Sequence, residues 1–251
     1  MRARLFLVTA LLLVSLPAAA DGPADVLAHR TKQCPGCDLA GAHLKRFDLS
    51  GGDFAGAKLA GAVLHRAKLG RAHFDAADLT GANLNKTDLR NASLKGAKLA
   101  GALLYEAELG LADLSGADLS GAKLGHARMV RANLGQAKLD EAVLKEARLD
   151  EANLAGASLK GANLVSASLR RADLSKADLD NAGLLQAVLR EANLAGAILT
   201  EADLFGADLT DCDLRGADLS GARLTNAIMT GAKLDGAKLS HTIMPDDTEH
   251  E

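Results

Sequence analysis

The chain has 251 residues, of which 48% are hydrophobic but only 2% are aromatic, and it contains no tryptophan. An ordinary globular core of this size holds more aromatic side chains, so the composition excludes a conventional packed domain. The 29 basic and 32 acidic residues give a formal net charge of −3. Because this charge is mild and mixed in sign, nucleic-acid binding is not expected.

Residues 1–20 have the pattern of a cleavable export signal. Two arginines form a basic start, residues 5–16 are an apolar run, and residues 18–20 are alanines that offer a small-residue cleavage site. The apolar run has 12 residues, whereas a helix that spans a bilayer needs about 20. We therefore predict cleavage after Ala20, a periplasmic or secreted protein, and no membrane span in the mature chain. An uncleaved membrane anchor is the alternative.

Residues 21–36 lie between this signal and a long repeat, and we interpret them as an N-terminal cap segment. Pro23 and the five residues after it predict a short helix that starts after Asp21 or Gly22. A stack of repeats exposes an unpaired edge at its end, which a covering segment protects. Val26 and Leu27 are the predicted apolar contacts of this cap.

Cys34 and Cys37 form the one motif in the sequence with potential chemistry. In an exported protein, the expected arrangement of two cysteines this close is a local disulfide, which would fix the cap to the first repeats. Free thiols or a metal pair are the alternative. A catalytic dithiol is disfavoured because no thioredoxin-like βαβ pattern surrounds the motif. Cys212 lies far along the repeat and is interpreted as a small buried residue.

Residues 37–244 repeat every five residues without a change of phase. The central position of each unit, here called i, begins at Leu39 and ends at Met244, and 37 of the 42 centres are leucine. Position i−2 is alanine in 36 units, and the other three positions are mostly polar or glycine. Only two positions in five therefore carry residues that suit a buried core.

Neither regular element can bury this pattern. A helix turns about 100° per residue and would distribute the leucines around its circumference, whereas a strand would send them to alternate faces. A chain that turns a corner every five residues buries i and i−2 inside a coil, which predicts an all-β solenoid. With four units per coil, outward residues on one side alternate in charge: Asp38, Lys58, Asp78, Lys98, Asp118 and Lys138. We therefore predict that each coil contains four units, so that equivalent positions recur at a spacing of twenty.

Runs such as ADLTGANL at 77–84 and ADLSGADLSGAKL at 112–124 resemble the pentapeptide-repeat proteins. The resemblance covers residues 37–244 and implies a right-handed quadrilateral β-helix, here of about ten coils. It also implies an alternative function, because some members of the family mimic DNA and bind DNA gyrase. This chain departs from those members in its mixed charge, in its lack of a predicted C-terminal helix and in its export signal.

The repeat offers little to catalysis. Of the 25 glycines, 17 lie at i+2, where a corner that needs a positive φ favours glycine, and no phosphate-binding glycine loop is present. The constant phase leaves no inserted loop, and loops are where active sites usually lie. We therefore expect neither an enzyme nor a bound cofactor or metal.

Two sets of outward side chains are candidate binding surfaces. An apolar set on the second side of the coil contains Leu103, Tyr105, Val143, Val165, Leu185 and Phe205, the last three in consecutive coils. It predicts a protein-binding patch, although single exposed apolar residues are common. A basic set, the arginine stripe, contains Arg128, Arg131, Arg148, Arg170, Arg171 and Arg190. It is either an anion-binding surface or, with Asp150, Glu151 and Glu191 beside it, a charge-balanced face.

The sequence thus predicts a non-enzymatic exported solenoid that serves as a rigid scaffold or protein-binding surface in the periplasm or cell envelope. Its partner is expected to be a protein. Residues 245–251 are acidic and predicted to be disordered, which leaves the lower end of the solenoid uncovered. A homodimer through the solenoid ends is a further hypothesis.

Overall fold

The repeating part of the chain turns a corner every five residues and closes one coil every four units. The computed structural model describes residues 22–251, and the predicted signal, residues 1–20, lies outside the described residues. Parallel β-bridges join each outward residue at i−1 to the equivalent residue four units later, from Gln33 near the N-terminus to Ile243 near the C-terminus. The predicted four-unit coil is confirmed.

Hydrogen bonds within and between coils satisfy the backbone of each unit. In the unit 78–82, the amides at i−1, i and i+2 donate to carbonyls of the coils before and after, at 2.9, 2.7 and 2.9 Å. The following amide donates across the corner to the carbonyl of Leu79 at 2.9 Å. The remaining amide, that of Thr80, donates to Oδ1 of Asp78 at 3.0 Å. Asp or Asn at i−1 thus supplies an acceptor that the coil backbone lacks, which explains why these residues are frequent there.

The core is a stack of leucine and alanine side chains inside the coils. Every side chain at i and i−2 from Phe54 to Leu224 is buried. Phe54 and Phe74 occupy equivalent centres of successive coils, and their rings stack with centroids 5.2 Å apart and an interplanar angle of 12°. Each buried leucine contributes about 1.5–3 kcal/mol, a gain opposed by the entropy of ordering the chain. Burial of aligned side chains therefore holds each coil to its neighbours.

The corners have one backbone conformation throughout. Every residue at i+2 from Gly36 to His241 has a positive φ, whether or not it is glycine. The predicted role of the corner glycines is therefore confirmed. A left-handed conformation costs an L-residue about 1–2 kcal/mol, so each corner without glycine opposes the stability of the coil.

Exchanging glycine and alanine at two corners tests this assignment. We expect Gly61→Ala to lower the free energy of unfolding by about 1 kcal/mol, and Ala76→Gly to raise it by a similar amount. No atom lies within 4 Å of the place that a Cβ on Gly61 would take, so the effect arises from the backbone alone. Urea unfolding of both variants measures the change in the free energy of unfolding. Changes of the same sign in the two variants would contradict the assignment of a positive φ to these corners.

Helix α1, Pro23–Leu27, covers the N-terminal end of the solenoid. Its Val26 is fully buried, as predicted, but Leu27 is 45% exposed. The predicted core contact of Leu27 is therefore wrong, because one residue advances the helix by about 100° and turns that side chain away from the coil. His29 lies against Phe47 instead, with ring centroids 3.9 Å apart.

The first coil begins one unit earlier than residue 37. Gln33 bridges Asp53 of the next coil, and Cys34 is fully buried at a centre position, one unit before Leu39. Cysteine can take this inward position because it is small and apolar. The coil therefore starts inside the segment that we interpreted as the cap.

The C-terminal end is covered only in part. Strand β1, Thr242–Ile243, pairs antiparallel with strand β2, Glu249–His250, so the tail that was predicted to be disordered folds back as a short hairpin. It does so because the last coil has a free edge whose backbone groups need partners. The inward Leu234 and Leu239 are only half-buried, since no coil follows them.

Candidate functional site

The interior of the described solenoid is closed to ligands. Its few polar inward side chains donate to backbone carbonyls of the preceding coil. Thr87 Oγ1 donates to Leu64 at 3.1 Å and Cys212 Sγ donates to Leu189 at 2.8 Å. Desolvation raises the pKa of the Cys212 thiol to about 12, so it stays protonated at neutral pH. The interpretation of Cys212 as a small buried residue is confirmed, and any functional surface must lie outside the coils.

The predicted apolar set is not one open patch. Leu103 and Tyr105 are exposed by 37% and 42%, but the other four residues are half-buried: Val143, Val165, Leu185 and Phe205. The last three occupy the same corner position in consecutive coils, where side chains about one strand spacing apart shield one another. The guanidinium carbon of Arg223 lies 5.2 Å from the Phe205 ring centroid and covers the lower end of this column.

Tyr105 forms one wall of a groove at the corner between the second and third sides. The groove has a volume of about 440 Å³ and is lined by Tyr105, Glu106, Glu108, His126, Arg128, Glu146 and Arg148. We call it the Tyr105 groove. It brings together Tyr105 of the apolar set with two residues of the arginine stripe, and Leu103 lies in the same unit of the repeat.

The local sequence fixes the position of the Tyr105 ring. Gly125 follows Tyr105 by one coil, and a Cβ at this glycine would lie 3.4 Å from Cδ2 of the ring. The next residue, His126, meets the ring edge-on with centroids 5.3 Å apart. A carboxylate oxygen of Glu146 lies 3.3 Å from Nδ1 of His126. The sequence did not single out His126 or Glu146, although Glu106, His126 and Glu146 share one corner position at a spacing of twenty.

The arginine stripe is charge-balanced. Each of its six members lies beside a carboxylate: Arg128 with Glu108 (3.5 Å), Arg131 with Glu151 (2.7 Å), Arg148 with Asp150 (3.5 Å), Arg170 with Asp150 (3.8 Å), Arg171 with Glu191 (2.9 Å), and Arg190 with Asp208. Exposed pairs of this kind contribute about 0.2–1 kcal/mol each at most. The geometry favours the charge-balanced alternative over an anion-binding surface.

Cys34 and Cys37 lie side by side at the top of the solenoid. Their Cα atoms are 5.4 Å apart, a separation that suits a disulfide. Cys34 is fully buried, which leaves little access for a substrate or a reductant. The arrangement fits the predicted structural bridge better than the catalytic dithiol.

Many outward aspartates are stabilised in their charged form. Hydrogen bonds from the backbone amide and hydroxyl of Ser50 lower the pKa of Asp48 to about 2. The guanidinium of Arg215 lowers the pKa of Asp213 to about 2. The hydroxyl and amide of Ser120 lower the pKa of Asp118 in the same direction.

Because the pKa values of these aspartates are lowered by folding, we expect the solenoid to lose stability in acid. Their pKa values are lower in the folded chain than the value of about 3.9 expected after unfolding. The unfolded chain therefore takes up protons first, and the stabilisation is present above about pH 4 and lost as the pH falls towards 2. Thermal unfolding from pH 7 to pH 2 measures the effect. Asp118→Asn retains an acceptor for the Ser120 amide and should lose less stability, whereas a melting temperature that rises below pH 4 would contradict the assignment.

Two further features of residues 22–251 bear on function. None of their helices is long and apolar enough to span a bilayer. Nor does this part of the chain place three or more histidine, cysteine or acidic side chains where they could hold a metal ion.

Comparison with known proteins identifies the family. A sequence model described as "Pentapeptide repeats (8 copies)" matches seven segments, residues 37–75, 57–96, 72–110, 92–129, 127–165, 167–206 and 207–244. The chain belongs to the pentapeptide-repeat family. Membership implies that the coil is right-handed. A search of curated protein sequences finds no match.

Several solved pentapeptide-repeat structures are similar to this pentapeptide-repeat protein. HetL of the cyanobacterium Nostoc sp. strain PCC 7120, a protein involved in the regulation of heterocyst differentiation, is 31% identical; the match covers 91% of this chain and 99% of HetL, with a TM-score of 0.46. A protein of the Arabidopsis thaliana thylakoid lumen is 38% identical over 34% of this chain and 59% of its own length, with a TM-score of 0.33. Full-length QnrB1, a plasmid-mediated fluoroquinolone resistance protein, is 21% identical over 82% of this chain and 92% of its own length, with a TM-score of 0.34.

Proposed function

We propose that this pentapeptide-repeat protein is a non-enzymatic, exported solenoid that binds a protein partner on its preformed outer surface. The observation that carries the proposal is the Tyr105 groove, where an exposed aromatic ring and the exposed Leu103 lie beside charged side chains. Inward side chains of the central coils are enclosed, so a partner meets only the outer sides and the corners.

The composition of the groove suits a protein interface. Tyrosine and arginine are among the residues that most often dominate binding energy at such interfaces. The Tyr105 ring is already positioned by Gly125 and His126, and the backbone beneath it is hydrogen-bonded from coil to coil. Binding therefore orders few groups, which reduces its entropic cost.

Catalysis receives no support from the carboxylates. Those with a shifted pKa, such as Asp48 and Asp213, are shifted downward and remain charged. A general acid at neutral pH needs the opposite shift, which burial in a water-excluding pocket provides. The outward acids and bases of this solenoid instead face solvent, as a binding surface requires.

Capture experiments on envelope extracts test the protein-binding role. We expect Leu103→Asp with Tyr105→Asp to abolish capture of a specific protein, while Ile198→Asp, at a residue 41% exposed on another side, retains it. A third bait with Val165, Leu185 and Phe205 changed to Asp tests the half-buried column. If the Leu103 and Tyr105 variant captures the same proteins as the wild type, the groove is not the binding surface.

An effect of the purified protein on DNA gyrase supercoiling would favour the DNA-mimic alternative instead.

Export and the disulfide form a second part of the proposal. The sequence of residues 1–20 supports cleavage after Ala20, and the separation of the Cα atoms of Cys34 and Cys37 supports a bridge in an oxidising compartment. Intact-mass spectrometry of the isolated protein tests both. We expect the mass of a chain that begins at Asp21 and an increase by the mass of two hydrogen atoms on reduction, whereas a retained Met1 or free thiols would contradict the proposal.

A homodimer through the C-terminal ends remains part of the proposal as well. The half-buried Leu234 and Leu239 leave apolar surface that a second chain would cover. Light scattering on Leu234→Asp and on the wild type tests it. We expect a dimer only in the wild type, and a monomeric wild type at micromolar concentration would remove this part.

A further inference from the structure

A strongly charged surface lies at the N-terminal end of the solenoid. Lys45, Arg46, Arg66, Lys68 and Arg71 are all exposed. No ion pair or side-chain hydrogen bond joins any of the five to another residue between 22 and 251. We call these five residues the basic face. They contrast with the arginine stripe, whose members all lie beside carboxylates.

The coil geometry places the basic face on one side of the solenoid. Arg46 and Arg66 occupy the same corner in successive coils, about 4.8 Å apart. Lys68 is the next outward residue along the third side, where its backbone pairs with those of Asp48 and Asp88, so two carboxylates lie beside it. Arg71 is at the corner that ends this side. The five cations therefore lie along one flat side and its two edges, within two coils.

Charge is distributed unevenly along the chain. Residues 22–90 contain 10 Lys and Arg against 7 Asp and Glu, whereas residues 173–251 contain 6 against 15. Partial desolvation and the positive charges of Arg66 and Lys45 lower the pKa of His65, which lies at the same corner. The N-terminal coils thus attract anions, and the C-terminal coils repel them.

We propose that the basic face docks the solenoid on an anionic phospholipid surface through its N-terminal coils. The five cations outnumber the two carboxylates beside Lys68, so this side matches a plane of phosphate headgroups, and each cation adds to binding. The five residues include no aromatic side chain on which bases could stack, so single-stranded nucleic acid is a poorer fit.

Vesicle flotation of the purified protein tests the proposal. Vesicles of phosphatidylcholine alone measure any binding that needs no anionic headgroup, and mixed vesicles with phosphatidylglycerol add the anionic headgroups. We expect the wild type to bind the mixed vesicles more tightly at low salt and to lose this preference at high salt. Changing Arg46, Arg66 and Lys68 to Glu should weaken the preference about 100-fold.

A matched control separates the basic face from net charge. Lys58, Lys98 and Lys138 are on the opposite side, and changing all three to Glu alters the net charge by the same amount. This variant should keep most of the preference for anionic vesicles, and circular dichroism should show that both variants retain the wild-type fold. The proposal is overturned if the wild type binds both vesicle types equally or if the two triple variants lose binding equally. It is also overturned if the protein binds duplex DNA and not the anionic vesicles.

Discussion

Deleting Gln136 and Ala137 is expected to unfold the coils that follow, although it removes only two small or polar side chains. The deletion shifts the phase of the repeat, so that Leu139 falls in an alanine slot and Glu141 falls at a centre. The chain must then bury that carboxylate or cross one side of the coil with three residues. Losing the burial of two leucines alone lowers the free energy of unfolding by roughly 3–6 kcal/mol, and burial of an unpaired charge adds to the loss.

A longer deletion at the same place provides the control. Removing residues 136–155 joins Gly135 to Gly156 and preserves both the phase and the four sides of the coil. It costs one stacked coil and several side-chain pairs at the surface, among them Arg131 with Glu151 and Arg170 with Asp150, so a folded, shorter solenoid is expected. Urea unfolding followed by circular dichroism compares the two. If the two-residue deletion were the more stable, the inward and outward positions would be wrongly assigned.

Phe74→Ala is expected to have the largest effect among single substitutions, a loss of about 3–5 kcal/mol. Phe74 is 1% exposed and its ring stacks on that of Phe54 at 5.2 Å. Its removal leaves a cavity between two coils that share a hydrogen-bonded backbone and cannot close around it. Chemical denaturation of the variant measures the loss.

Phe74→Leu shows whether the loss of stability comes from this cavity or from any substitution at position 74. Leucine is the residue at most other centres, so it retains most of the burial, and a loss below about 1.5 kcal/mol is expected. Equal losses in the alanine and leucine variants would show that the space between Phe54 and Phe74 is not tightly packed.

The fold could be predicted from the sequence because the five-residue period of the repeat determines which side chains point into the coil. The spacing of the leucines specified the inward positions, and the alternation of Asp and Lys from Asp38 to Lys138 specified the number of units in a coil. The start of the coil was placed one unit too late because Cys34 is neither leucine nor alanine, although it is in phase with Leu39. The hairpin of Thr242–Ile243 with Glu249–His250 was missed because pairing at a free edge depends on backbone geometry and not on side-chain pattern.

The candidate site was less predictable than the fold. Sequence spacing identified which residues point outward, and it named Leu103 and Tyr105, but it could not show that Val165, Leu185 and Phe205 shield one another. Of the carboxylate partners of the arginine stripe, the sequence named Asp150, Glu151 and Glu191. It did not name Glu108 and Asp208, which lie in the coils next to Arg128 and Arg190. The basic face was overlooked because its cations belong to different units of the repeat and become neighbours only after the coil closes.

Site-directed disulfide formation tests the coil most directly. Lys138 and Ser158 bridge across successive coils, so cysteines at these two positions should form an intramolecular disulfide under mild oxidation, because neighbouring strands lie about 4.8 Å apart. Cysteines at Lys138 and Asn153, three units apart, lie on different sides and should remain free. Peptide mapping without reduction reports the linkage. A bridge in the 138 and 158 pair alone is the predicted result, whereas equal or faster bridging of the 138 and 153 pair would contradict a four-sided coil.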